Sequence, residues 1–194
     1  MKSETGYLSI ILGPMFSGKT TSLITNYRKI CSNENNIENV CVINYIDDVR
    51  YHDTMLSSHD LDMIPCIMTK KLGDIWSTPE NPLYEKIHNS KYILINEAQF
   101  FEDLFDIICE MLSKNKKIYI YGLDGDFKRQ KFGKMLDLIP LCDQLTKLTA
   151  ICNMCKSPAI FSHRITQESS QIVIGSTNYV PLCRKCYTDC SQKK

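Results

Sequence analysis

The sequence predicts an α/β fold in which a parallel sheet is covered by helices on both faces. Over roughly the first 149 residues, short apolar segments alternate with segments of helical periodicity, which is the pattern of such a sheet. Near Ala150 this pattern gives way to short β-like pieces, polar turns and paired cysteines. A chain of 194 residues can bury one such core and carry a small appendage. We therefore expect an α/β domain over residues 1–149 and a second, smaller domain over residues 150–194.

Composition and charge exclude several classes of protein. The 23 basic and 22 acidic side chains give a net charge of +1, whereas proteins that bind nucleic-acid phosphates usually carry a basic stripe. No segment has the ~18 consecutive apolar residues of a membrane span, and the N-terminus lacks the pattern of a signal peptide. We expect a cytoplasmic protein with no nucleic-acid or membrane partner, whose ten cysteines are reduced or metal-bound.

The individual elements follow from hydrophobic periodicity and from turn residues. Predicted strands are Tyr7–Leu12, Val40–Asn44, Tyr92–Ile95 and Ile118–Leu123, with Ile64–Met68 as a weaker candidate. Predicted helices are Thr20–Ile30, Pro82–His88 and Asp103–Leu112. Loops are expected at the asparagine-rich segment 32–39, at residues 76–82, and in the polar, glycine-bearing segment GDFKRQKFG at residues 125–133.

The strongest motif is GPMFSGKT at residues 13–20, which fits the pattern Gly-x-x-x-x-Gly-Lys-Ser/Thr of a P-loop. Glycines let the backbone wrap so that its N–H groups face phosphate oxygens, and the following helix presents its positive end to the anion. The alternative is a chance glycine-rich turn. The position of the motif between an apolar strand and a helix favours phosphate binding, through Gly13, Pro14, Met15, Phe16, Ser17, Gly18, Lys19 and Thr20.

A second candidate lies where the strand YILI ends in Asn96 and Glu97. A carboxylate among apolar neighbours is costly to desolvate unless it has a partner or a chemical role. If this strand ends beside the P-loop, Glu97 faces the γ-phosphate and can accept a proton from an attacking hydroxyl group or water. The alternative is a surface glutamate at a strand end.

Four cysteines form two pairs with the spacing of a zinc ribbon: Cys152, Cys155, Cys183 and Cys186, with 27 residues between the pairs. The alternative is four independent buried thiols, which the paired spacing disfavours. The other six cysteines have no such pairing and are interpreted as small, buried, reduced residues, except that Cys190, near the tail, is expected to be exposed.

The P-loop, NEAQFF, LDGDFKRQKFG and the paired Cys-x-x-Cys occur in one order, and together they resemble the type II thymidine kinases over about Tyr7–Tyr187. The resemblance implies phosphorylation of the 5′-hydroxyl of thymidine by ATP, with catalytic Mg²⁺ and structural Zn²⁺. It implies an α/β fold of the P-loop NTPase (RecA-like) type with a small C-terminal zinc-ribbon domain that carries a lasso loop. It also implies a homo-oligomer, either a dimer or a tetramer.

The resemblance assigns roles by position. Glu97 matches the catalytic base. Lys19 and Thr20 match contacts to phosphate and magnesium, and the cofactor-binding set also includes Asp48, Arg50, Asn96 and Gln99. The nucleoside pocket is expected to contain Met15, Phe100, Leu123, Phe127, Phe132, Ser162 and Tyr179, with the lasso residues Gln171, Ile172, Val173, Ile174 and Gly175.

Asn96 is a departure from the family, most of which carries aspartate there. Asparagine keeps an acceptor oxygen but carries no charge, so we expect a weaker attraction for magnesium at this strand end.

Two other functions fit parts of the sequence. The first is a P-loop ATPase of DNA metabolism that carries a zinc ribbon, against which stand the small size and balanced charge. The second is a nucleic-acid-binding zinc ribbon with a degenerate P-loop. It would use the basic residues near the cysteines, which we interpret instead as solvated surface: Lys147, Lys156, His163, Arg164, Arg184 and Lys185. His52 and His59 are interpreted as loop residues.

Overall fold

A computed structural model describes residues 5–34, 37–47, 54–58, 61–173 and 175–191, with only the backbone of Ser176. Five residues with a predicted role or placement lie outside the described residues: Asp48, Arg50, His52, His59 and Ile174.

The described residues form twelve strands and five α-helices. The strands are β1 (Tyr7–Leu12), β2 (Val40–Tyr45), β3 (Met55–Ser57), β4 (Met63–Pro65), β5 (Ile67–Thr69), β6 (Tyr92–Ile95), β7 (Lys117–Gly122), β8 (Gln144–Lys147), β9 (Ala150–Ile151), β10 (Pro158–Ala159), β11 (Phe161–Arg164) and β12 (Tyr179–Leu182). The helices are α1 (Lys19–Glu34), α2 (Gly73–Trp76), α3 (Tyr84–Asn89), α4 (Leu104–Ser113) and α5 (Arg184–Ser191). Within the described part of the chain, no helix is both long and apolar enough to cross a membrane.

Six strands form the central sheet in the order β5-β2-β6-β7-β1-β8, and every pairing within it is parallel. The carboxyl ends of parallel strands meet at one edge of a sheet, so the segments that follow β1, β2, β6 and β7 are brought together there. This edge positions the candidate site.

Successive strand residues point to opposite faces, and each face packs against its own helices. Ile10 of β1 belongs to a cluster with Ile108 and Met111 of α4, together with residues of α2 and α3. The next residue, Ile11, belongs to a second cluster with Leu23 and Ile24 of α1. The prediction of a parallel sheet with helices on both faces is confirmed.

Several element boundaries differ from the prediction. The weak strand candidate at residues 64–68 is two strands, because Pro65 ends β4, which pairs antiparallel with β3, before β5 joins the central sheet. Residues 32–34, predicted as loop, extend α1, and residues 37–39 form a 3₁₀ turn. The strand β8 and the helix α2, which ends at Trp76, were missed. Because β8 is largely exposed and polar, its sequence QLTK lacks the apolar run expected of a sheet strand.

The C-terminal part has its own small core. Cys152, Leu182 and Tyr187 belong to a third cluster that shares no residue with the first two. Here β11 pairs antiparallel with β12, and residues 165–178 connect them. We call residues 165–178 the lasso loop. The division of the chain near residue 150 remains a prediction.

Candidate functional site

A cavity of about 410 Å³ opens at the carboxyl edge of the central sheet. Its walls come from five regions: the P-loop and the start of α1, the end of β2, the end of β6, the segment after β7, and the C-terminal part. Predicted residues that line it are Met15, Phe16, Ser17, Gly18, Lys19, Thr20, Glu97, Phe100, Leu123, Phe127, Phe132, Ser162, Gln171, Ile172, Val173, Gly175 and Tyr179. Four predicted residues, Gly13, Pro14, Asn96 and Gln99, are described but do not line it.

The P-loop turns sharply between β1 and α1. Phe16 and Gly18 adopt positive φ angles of 64° and 80°, which bend the backbone around the first turn of α1. Lys19 is only 8% exposed, and its ammonium group donates to the carbonyl oxygens of Gly13 at 3.1 Å and Pro14 at 2.7 Å. The buried Ser17 hydroxyl has no hydrogen-bond partner within the described ranges. An unsatisfied hydroxyl beside a buried ammonium group in a cavity wall suits an anionic ligand such as phosphate.

Glu97 follows β6 in the left-handed region, with φ of 50° and ψ of 39°. A non-glycine residue rarely adopts this conformation, and such outliers cluster at functional sites. The side-chain N–H of Gln99 donates to the Glu97 carboxylate at 2.6 Å. The side-chain oxygen of Gln99 accepts a hydrogen bond from the backbone N–H of Leu123 at 3.0 Å. Because both ends of the Gln99 amide are used, Gln99 ties the carboxylate to the segment after β7.

Asn96 lies beneath the site rather than in its wall. Its side chain is 2% exposed, and its amide donates to the side-chain oxygen of Asn44 at 2.9 Å, joining the ends of β2 and β6. This contact gives Asn96 a structural role. A water-mediated contact of Asn96 with magnesium remains a prediction.

Three aromatic residues, Tyr45, Phe100 and Phe132, form part of the cavity wall. Phe100 packs edge-on against Phe132, with centroids 5.4 Å apart, and stacks at a tilt on Tyr45 at 5.1 Å. Ser162 also lines the cavity, and its hydroxyl accepts a hydrogen bond from the Met15 backbone N–H at 2.9 Å. The P-loop is thereby connected directly to β11.

The sequence interpretation missed six residues that line the cavity: Thr21, Tyr45, Asp47, Gly125, Asp126 and Thr177. Tyr45 and Asp47 come at the carboxyl end of β2, so the parallel topology was the signal that could have found them. Asp126 is 6% exposed and accepts from the backbone N–H groups of Lys128 and Gln130 and from the side chain of Gln171. No pattern in the segment 125–133 marked this residue.

The six basic residues interpreted as solvated surface are not alike. Lys156, Arg184 and Lys185 are exposed, and the exposed Lys147 pairs with Asp124 at 2.5 Å. His163 is half-buried and packs edge-on against Tyr187, with ring centroids 5.3 Å apart. The interpretation was wrong for Arg164, which is 2% exposed and makes its contacts inside the protein.

The four paired cysteines converge. The sulfur atoms of Cys152, Cys155, Cys183 and Cys186 all lie within 4.8 Å of one another, and those of Cys155 and Cys183 are 3.5 Å apart. Zinc–sulfur bonds of about 2.3 Å in a tetrahedron separate the sulfur atoms by about 3.8 Å, so this set can hold a zinc ion.

The electrostatics of the quartet also suit a cation. Burial of the Cys152 thiol raises its pKa, but hydrogen bonds from neighbouring backbone groups, that of Cys155 first, outweigh this and lower the pKa to about 6. The Ser157 side chain lowers the pKa of Cys155, whereas hydrogen bonds from Cys155 and Cys183 raise that of Cys186. A thiolate is the form of cysteine that binds metal, so the quartet offers negative charge near neutral pH.

Comparison with known proteins identifies relatives that match nearly the whole chain. The family model described as thymidine kinase matches residues 6–187. The chain is 39% identical over 189 residues to a thymidine kinase of Oryza sativa subsp. japonica, covering 96% of this chain and 68% of that protein. It is 38% identical over 185 residues to the thymidine kinase of sheeppox virus (strain KS-1), covering 95% of this chain and 98% of the viral protein. For the thymidine kinase of vaccinia virus (strain Western Reserve), the identity is 37% over 186 residues, with coverages of 95% and 98%.

These matches extend over nearly the whole chain, through both the central sheet and the cysteine quartet. The chain therefore belongs to the thymidine kinase family.

Proposed function

We propose that the protein transfers the γ-phosphate of ATP to the 5′-hydroxyl group of thymidine and so forms thymidine monophosphate. The observation that carries this proposal is a single cavity of about 410 Å³ with three kinds of wall. The P-loop provides N–H groups and an ammonium group, Glu97 provides a carboxylate, and the aromatic and lasso residues provide an apolar slot. A nucleoside kinase needs all three within reach of one substrate.

The phosphate side of the cavity would bind ATP. The P-loop amides and the Lys19 ammonium group would neutralise the phosphate oxygens, and the unpartnered Ser17 hydroxyl would donate to one of them. Thr20, at the first turn of α1, would hold Mg²⁺, which spreads the negative charge that the departing phosphoryl group leaves behind. Asp48 and Arg50 keep their predicted roles here as proposals, since they lie outside the described residues.

Glu97 would act as the general base. Its carboxylate lines the same cavity as Lys19, and the hydrogen bond from Gln99 orients the carboxylate that would accept the proton of the 5′-hydroxyl group. Gln99, which we predicted to bind the cofactor, is better placed to orient Glu97 than to touch a nucleotide.

The remaining walls would bind the nucleoside. Leu123, Phe127 and Phe132 would enclose the thymine ring, and the lasso loop would read its edge through backbone groups. The edge of thymine presents acceptor, donor and acceptor in turn. Backbone N–H and C=O groups can satisfy all three without a charged side chain. Asp126, which also lines the cavity, already accepts hydrogen bonds from Lys128, Gln130 and Gln171.

Zinc would stabilise the lasso loop and would take no part in phosphoryl transfer. The quartet joins the turn at Cys152 and Cys155 to the end of β12, so a bound ion would fix the polypeptide on both sides of the lasso loop. Ordering the loop over substrate then costs less entropy. We also propose that residues 150–194 form a unit of their own and that the protein is a homo-oligomer.

One assay separates this proposal from the other two functions. ATP and Mg²⁺ are supplied with thymidine, with deoxycytidine, with single-stranded DNA, or with no acceptor, and ATP consumption is measured. The proposal predicts consumption that depends on thymidine. Stimulation by DNA would indicate a DNA-dependent ATPase, and no consumption in any mixture would indicate a binding protein.

A further inference from the structure

Arg164 is an unusual residue for a chain of balanced charge, because its guanidinium group is buried. It is the last residue of β11 and is only 2% exposed. Among the described residues, none of the ion pairs involves it. Burying a charge is expensive unless hydrogen bonds compensate, so the partners of this side chain indicate what it is for.

Three of its four hydrogen-bond partners are in the lasso loop, and the fourth is in β12. One terminal nitrogen donates to the carbonyl oxygens of Glu168, at 2.9 Å, and of Ser170. The other donates to the carbonyl oxygen of Gln171 at 3.0 Å and to the Tyr179 hydroxyl. A planar guanidinium group with several donors can gather such a set of acceptors, whereas an ammonium group on a flexible stem cannot hold the same geometry.

The guanidinium group also lies close to two aromatic rings. Its central carbon lies 3.7 Å from the centroid of the Phe127 ring and 5.1 Å from that of Tyr179. Contacts of this kind stabilise both partners when water is excluded. Phe127 comes from the segment after β7, so Arg164 joins that segment to the lasso loop and to β12.

Two further hydrogen bonds extend this connection around the cavity. The Tyr179 hydroxyl donates to the carbonyl oxygen of Val173 at 3.1 Å, and the Gln171 side chain donates to Asp126 at 2.9 Å. Val173 and Asp126, the last residues in this series of hydrogen bonds, both line the cavity. Arg164 itself does not line it.

We propose that Arg164 is a positioning residue for the nucleoside: it holds the lasso loop and the Phe127 ring in the arrangement that receives thymine. This inference rests on the proposed function. Preorganising a loop and an aromatic ring lowers the entropy cost of binding, so Arg164 strengthens thymidine binding without touching the substrate.

The test compares Arg164→Met and Arg164→Lys with the control Arg129→Met. Arg129 is exposed, lies over the Tyr187 ring at 4.7 Å and does not line the cavity, so the control removes an arginine–aromatic contact elsewhere in the same region. Steady-state kinetics give KM for thymidine and for ATP, and metal analysis gives the zinc content. We expect Arg164→Met to raise KM for thymidine by ~10- to 100-fold, the range for one lost charge-assisted hydrogen bond, with little change in KM for ATP or in zinc content.

Arg164→Lys keeps the charge but not the planar fork, so it should restore only part of the affinity. A lysine variant with normal KM for thymidine would show that charge alone matters and would overturn the positioning role. The positioning role would also be overturned if KM for thymidine in Arg164→Met changes less than twofold. The same conclusion would follow if Arg164→Met loses zinc and its KM values for thymidine and for ATP rise together.

A second measurement needs no catalysis. A protease that cleaves after glutamate has an exposed site at Glu168 in the lasso loop and another at Glu80, in the loop between α2 and α3. We expect Arg164→Met to be cleaved faster after Glu168 but not after Glu80, and Arg129→Met to match the wild type. Equal rates after Glu168 in all three proteins would overturn the inference. A wild-type protein that fails to phosphorylate thymidine would instead refute the proposed function, and the cleavage pattern would still decide the role of Arg164.

Discussion

At the scale of single residues, the site depends on side chains that are restrained both by their own backbone and by hydrogen bonds to neighbouring groups. Glu97 is fixed by its left-handed backbone and by the Gln99 amide, which is itself held by the backbone of Leu123. Lys19 is drawn back onto the P-loop carbonyl groups in the same way. Groups restrained like this need little reorganisation when substrate arrives, which favours catalysis.

Replacing Glu97 tests the general base. Glu97→Gln keeps the size of the side chain but cannot accept a proton, so kcat should fall by ~10²- to 10⁴-fold while thymidine still binds. The measurement is steady-state turnover, with thymidine binding followed by calorimetry. Glu102→Gln makes the same change at an exposed residue outside the cavity and should leave turnover unchanged. Near-normal turnover in Glu97→Gln would show that another group takes the proton.

Motifs predicted the residues whose role follows from a local sequence pattern, and they missed those whose role depends on how loops fold over one another. The P-loop, Glu97 and the cysteine quartet could be located because each has a recognisable spacing or neighbourhood. Arg164 could not, because a buried arginine looks like a solvated one until the carbonyl groups of residues 168–171 fold over it. Asp126 was missed for the same reason, since its partner Gln171 is 45 residues away.

At the scale of elements, the segment after β7 must pass very close to the turn that carries Gln99. A side chain at Gly133, which has φ of +60°, would place its Cβ 2.1 Å from the Gln99 carbonyl oxygen. Only glycine avoids both the overlap and the strained φ angle. The regular strands of the sheet could be predicted from apolar periodicity, but this close approach could not, because it depends on how two loops pack.

Gly133→Ala should therefore destabilise the protein and disturb Glu97 through Gln99. The strained φ angle costs ~1–2 kcal/mol and the overlap adds ~1–3 kcal/mol, so the free energy of unfolding should fall by at least ~2 kcal/mol. Urea denaturation measures this. Gly18→Ala provides the control, since Gly18 also has a positive φ, +80°, but nothing lies within 4 Å of its added Cβ. If both variants lose the same free energy, the close packing at Gly133 is not what requires glycine.

At the scale of the whole molecule, the central sheet and the C-terminal part both contribute residues that line one cavity. The central sheet supplies the P-loop and Glu97, while the region around the cysteine quartet supplies β11, β12 and the lasso loop. The sequence predicted both parts. It could not predict how they are joined, which depends on contacts such as that between the Met15 amide and Ser162.

Loss of the metal should weaken thymidine binding while ATP binding is retained. Cys152→Ser removes one of four sulfur ligands, so zinc content should fall, KM for thymidine should rise, and ATP should still bind to the P-loop. Metal analysis and binding of a fluorescent ATP analogue provide the readouts. Cys109→Ser, in α4 and outside the quartet, should keep its zinc. Fully active wild-type protein without zinc would refute the role of the quartet.

The proposed reaction passes a phosphoryl group from ATP to the 5′-oxygen of thymidine within one cavity. The most direct test follows the label from γ-³²P-ATP into thymidine, 3′-deoxythymidine and 5′-deoxythymidine, each supplied separately with Mg²⁺. We expect labelled monophosphates from the first two acceptors and none from the third, which lacks the 5′-hydroxyl group. Label that appears only in inorganic phosphate, or equally in 5′-deoxythymidine, would contradict the proposed reaction.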